Sequence, residues 1–170
     1  QAYDESGGSD GIDALITSLR KNNVTPGSNV YAELGSTWRF LMREPEQAAH
    51  ALGKLIRYCG ETNVLWGTDS IWYSSPQDQI QAFRTFQISR ELRERYGYAE
   101  ITPSLRARIF GLNAAKVYGL SATEVKKYTR TDRLSREKIS YQEHAEPHFL
   151  TYGPKTRREF LSMSTGPARP

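Results

Sequence analysis

In the stretch VLWGTDSIWYSSPQDQI, residues 64 to 80, an apolar run breaks at Gly67, an acid follows at Asp69, and turn residues lead on to a new helical pattern. A carboxylate in that place has two chemical uses: it can ligate a metal ion, or it can take up a proton and return it. In parallel α/β proteins reactive groups gather at the C-terminal ends of strands, where several loops share one crevice on a rigid base. Asp is also a favoured turn residue that caps its own loop, and local chemistry alone leaves both readings open. Trp72 and Tyr73 follow on the same loop. Their rings would either overhang a pocket and contact a planar substrate or pack the loop onto neighbouring helices. Glu33, in NVYAELGS, would line the pocket or form an ion pair.

The other candidate ligands read as structural. Cys59 is the single cysteine and has no histidine near it in sequence, so it is expected to pack rather than react. An intrachain disulfide is impossible, and a reducing cytoplasm is the simplest setting. The three histidines are His50, His144 and His148. His50 falls about 200° around its helix from the apolar Ala48, which predicts a surface position. His144 and His148, four apart, would share a helix face, but Pro147 argues against a helix there and favours an extended arm.

Two strands must hold these groups. Val30, Ala32 and Leu34 alternate with Tyr31 and Glu33 in the first, and NVLWG, residues 63 to 67, is a near-continuous apolar run of the kind covered on both faces in parallel sheets. Between them Pro45 starts a helix whose Ala48, Leu52, Leu55 and Cys59 form an apolar stripe closed by Gly60. An amphipathic helix with Ile12, Leu15, Ile16 and Leu19 precedes the first strand. After Asp69, Ser75 is placed to cap a helix running to about Tyr96, with Gly97 as its stop. Asn113 reads as the cap of a further helix, and Ser121 with Glu124 reads as a capping box. The order predicts two neighbouring parallel strands joined by a helical crossover over residues 44 to 59. Two strands do not close an α/β domain, so the chain reads as part of a larger fold.

Composition narrows the class. Of 170 residues 38% are apolar and 25% charged, and no run reaches the ~18 apolar residues of a membrane span. The net charge of +4 lies in the tail: residues 1 to 120 hold 13 basic and 13 acidic side chains, residues 121 to 170 hold 10 and 6. These tail charges alternate in sign, and no aromatic-basic recognition motif accompanies them, which speaks against nucleic-acid binding. The start, QAYDESGGSDG, has neither the basic segment nor the apolar run of a secretory signal, and the missing methionine leads us to expect a natural chain that begins earlier.

NVLWGTDS, followed about forty residues later by IFGLNAAKVYGL, resembles the end of a metal-dependent hydrolase of the amidohydrolase superfamily, in its subgroup of (β/α)8-barrel hydrolases and decarboxylases. The last-strand turn of that subgroup is matched by Gly67, Thr68 and Asp69, and its following helix by Gly111, Asn113, Ala114, Ala115, Tyr118, Gly119 and Leu120. NVYAELGS is similar to its penultimate strand.

The resemblance implies an α/β fold. Residues 1–129 would be the last βα units of a TIM barrel, and residues 130–170 an extended C-terminal arm. It implies Asp69 as catalytic acid–base group and metal ligand, and a divalent ion, zinc by preference, in the full-length parent. The family's His-x-His pair and its two mid-barrel histidines have no counterpart here, so the isolated fragment is expected to hold no cofactor and to be inactive. A barrel needs about 250 residues, which also implies a C-terminal portion. The expected partners are a small-molecule substrate and further copies of the chain, with no nucleic acid and no membrane. The competing class is a nonenzymatic interaction module that pairs through exposed apolar faces and the arm.

Overall fold

The computed structural model describes Tyr3 and residues 11–73, 75–143 and 156–164. Helix α1 (Gly11–Lys21) leads to strand β1 (Ala32–Glu33), helix α2 (Gly35–Leu41), the long helix α3 (Pro45–Cys59) and strand β2 (Val64–Leu65). The strands pair in parallel, with Ala32 opposite Val64 and Glu33 opposite Leu65. The expected parallel pairing and helical crossover are thus present. Helix α2 follows β1 directly, and Trp38 on it is buried in the core. Among the described residues the sheet has only these two strands, which do not close a barrel.

Side chains extend the short ladder. Asn63 Nδ2 donates to the carbonyls of Ser28 (2.7 Å) and Val30 (2.8 Å), anchoring the approach to β1. Asn113 Nδ2 donates to those of Glu61 and Val64, both at 2.9 Å, anchoring β2. Asn113 is therefore a buried clamp and not a cap. Its backbone is helical, because α7 (Pro103–Ala107) runs through a π-helical turn (Arg108–Leu112) straight into α8 (Asn113–Val117).

Beyond β2 lie α4 (Ser70–Tyr73), α5 (Gln77–Thr85) and α6 (Arg90–Tyr96). The single helix expected from Ser75 to Tyr96 is broken: Phe86 is extended, and Ser89 caps α6 by accepting from Leu92 N–H. Gly97 closes α6 in the left-handed conformation, as expected. The break is stabilised from outside, since the Arg106 guanidinium donates to the carbonyls of Phe83, Phe86 and Ile101. The core gathers around Trp38, with the rings of Phe83 and Phe86 edge-on at 5.2 and 5.4 Å.

Ser121 and Glu124 form the expected capping box on α9 (Ala122–Arg130). The tail departs from the extended arm, being helical over α10 (Arg133–Glu143) and α11 (Arg157–Ser164). Phe160 on α11 is buried in the core, and Arg157 donates to the Gln87 carbonyl at 3.0 Å. His144 and His148 lie outside the described residues. His50 is a further correction: it is 5% exposed, with Nδ1 3.0 Å from the Tyr98 hydroxyl and its ring against Tyr96. Its helix is buried on more than one face, because α1 and the segment after α6 both pack on α3, as the buried Lys54–Asp13 pair at 2.7 Å also shows. Among the described residues no helix is long and apolar enough to cross a membrane.

Candidate functional site

Both strands end at one place. After Leu65 the chain runs through Gly67 and Thr68 to Asp69, whose φ of 48° lies in the left-handed region, which Asp tolerates better than most residues. The loop is pinned on each side: Gln79 Nε2 donates to the Thr68 carbonyl at 2.8 Å, and Trp72 N–H donates to the Asp69 carbonyl at 2.9 Å. With its backbone fixed, Asp69 turns its carboxylate across to the neighbouring strand end. Oδ2 accepts the Ser36 N–H at 2.9 Å and the Ser36 hydroxyl at 2.6 Å. The carboxylate therefore serves the first turn of α2, which follows β1, and not the turn that follows Asp69 in sequence.

Glu33, at the end of β1, comes to the same place. Its Oε1 accepts the Gly35 N–H at 3.0 Å. A Cβ on Gly67 would sit 1.3 Å from that oxygen, so the missing side chain of Gly67 is what admits Glu33. A Cβ on Gly35 would lie 2.7 Å from Glu33 Oε2 and 2.9 and 3.0 Å from the two Asp69 oxygens. Two carboxylates thus converge on a gap left by two glycines. Burial pushes the Glu33 carboxyl up from its ordinary range; the Gly35 N–H opposes this and the Asp69 charge adds to it.

The aromatic residues divide. Tyr73 is tied inward, its hydroxyl 3.0 Å from Ser36 Oγ, its ring edge-on to Phe40 at 5.8 Å and beneath the Arg39 guanidinium. Trp72 is 79% exposed beside it. A groove of about 580 Å³ opens on the α1–α3 side of β1, lined by Ile12, Leu15, Glu33, Phe40, His50 and Leu55 among others. Glu33 borders both the groove and the carboxylate pair, whereas Asp69, Trp72 and Tyr73 do not line the groove.

Sequence reasoning placed Asp69 at a strand end beside Gly67 and missed Ser36 and Gly35 as its surroundings. The available signal was the parallel pairing itself. Adjacent parallel strands end at one edge, so the residues just past Glu33 had to meet those just past Gly67.

A metal ion needs more than this. A catalytic zinc site takes three protein ligands and a water, and among the described residues no group of three His, Cys, Asp or Glu side chains comes together. The donor set of the described residues does not fit a complete metal site.

A family model described as amidohydrolase matches residues 26–120. No curated protein and no solved structure matches the chain.

Proposed function

Since this chain belongs to the amidohydrolase family, we propose that it is the C-terminal part of a metal-dependent hydrolase or decarboxylase of a small organic substrate, with Asp69 as the group that moves the proton. The observation that carries this reading is the Asp69 carboxylate, held rigidly at the common end of two parallel strands. In hydrolysis it takes a proton from the attacking water and returns it to the leaving group. In decarboxylation it delivers a proton to the carbon that loses carbon dioxide. Positioned acid–base assistance of this kind is worth roughly 10²- to 10⁴-fold. Trp72, exposed on the same loop, is the side chain free to face substrate.

The family generally uses a divalent ion, and zinc is the ion we assign to the whole enzyme. The ligands that join Asp69 are not gathered among the described residues, so the part proposed for those residues is proton transfer and shaping of the pocket. A cytoplasmic setting fits the free, buried Cys59. A second copy of the chain is the macromolecular partner in this reading, meeting the exposed apolar side chains of α9 and α10.

The test is metal analysis of the whole enzyme, together with turnover on a panel of small amides, esters and carboxylic acids. About one zinc per chain, with activity lost on chelation and restored by zinc, is the expected result. Full turnover by the metal-free enzyme would overturn the reading.

A further inference from the structure

Asp69 is held by more than a turn requires. Both Ser36 donors, the N–H at 2.9 Å and the hydroxyl at 2.6 Å, end on Oδ2. The Tyr73 hydroxyl lies 3.0 Å from the same Ser36 oxygen. Because the Ser36 proton is given to the carboxylate, the Tyr73 O–H is the donor in that second bond. The bonds then run from Tyr73 to Ser36 to Asp69, each donor polarising the next. Among the described residues Oδ1 accepts none, and both Asp69 oxygens border the gap left by Gly35, Oδ2 at 2.9 Å and Oδ1 at 3.0 Å from where a Cβ would stand, with Glu33 Oε2 at 2.7 Å. Asp69, a non-glycine residue, has a φ of 48°, so the backbone that carries the carboxylate is strained. Such strain persists where surrounding structure over-determines it, often at functional sites.

From this geometry we infer that Ser36, oriented by Tyr73, is the positioning residue for Asp69: it commits Oδ2 to the protein and fixes the side-chain rotamer. The inference rests on the reading that Asp69 moves the proton. It adds a serine that sequence reasoning did not reach.

The test compares the whole enzyme with its Ser36→Ala, Ser36→Thr, Tyr73→Phe and Asp69→Asn variants, by crystal structure and by turnover on the substrate that the panel above converts fastest. In the wild type and Ser36→Thr the Asp69 carboxylate should occupy one rotamer on residue 36. In Ser36→Ala it should rotate or split into two. The value of kcat for Ser36→Ala should fall roughly ten- to hundredfold, the range for a misplaced catalytic group, with KM changed less than about twofold. Threonine should restore most of the rate, and Tyr73→Phe should lose several-fold. An unchanged Asp69 rotamer in Ser36→Ala, or unchanged kcat there while Asp69→Asn is inactive, overturns the inference and leaves the proposed function standing. An active Asp69→Asn overturns the proposed function instead, and the crystal structures still decide whether Ser36 sets the carboxylate. If Ser36→Ala does not fold, Tyr73→Phe removes only the orienting hydroxyl, and its Asp69 rotamer decides.

Discussion

Gly35 shows how much of the site depends on a missing atom. A Cβ there would stand within 3 Å of both carboxylates, on a residue whose φ of 23° strains any side chain. Gly35→Ala should therefore cost roughly 1–3 kcal/mol, the usual range for backbone strain at such a position, as measured by urea denaturation, and it should separate Glu33 from Asp69. An alanine variant as stable as the wild type would show that the two side chains have room to spare. Asp69 was legible because an acid after a strand-ending glycine is a local signal. Ser36 was not, since its role exists only where two segments 33 residues apart meet. Local chemistry weighed a cap on the following turn against a reactive group; the observed carboxylate caps a turn as well, but on the neighbouring strand's helix.

The α3 helix and the capping box were readable from periodicity and cap residues, because neighbours in sequence settle them, and the parallel strand pairing followed from the strand–helix–strand order. Where partners distant in sequence decide the outcome, the reading went astray. The α5–α6 break sits in a stretch of acceptable helical pattern, and the carbonyls freed there find the Arg106 guanidinium from α7. His50 looked exposed from the α3 stripe alone, yet the Tyr96 and Tyr98 rings cover it. Burial lowers its pKa, helped by the Lys54 and Arg95 charges and opposed by Glu46. The folded chain thus binds this proton less readily than the unfolded chain, whose histidine titrates near about 6.5. Its contribution is fully present above that value and is lost as pH falls from there through the lower folded pKa. The urea midpoint of the wild type should drop over that window, and His50→Gln should flatten the drop. An equally steep loss in the variant would assign it to other groups.

At the scale of the whole molecule the tail has two parts. Helix α11 docks on its own chain through Phe160 and Arg157, whereas α10 leaves Leu134 70% and Ile139 57% exposed. If those side chains meet a second copy, Leu134→Lys with Ile139→Lys should lower the mass seen by light scattering by about half and leave the circular dichroism unchanged; an unchanged mass would place the subunit contact elsewhere. The account as a whole turns on Asp69 as the proton-moving group. The most direct measurement is turnover of the whole enzyme with Asp69→Asn, which keeps the size of the side chain and an acceptor oxygen while removing its charge and its ability to take a proton. Acid–base assistance is worth roughly 10²- to 10⁴-fold, so kcat is predicted to fall at least about a hundredfold in a variant that still folds by circular dichroism. Near-normal turnover by that variant would contradict the account and leave Asp69 as no more than the residue that holds the start of α2.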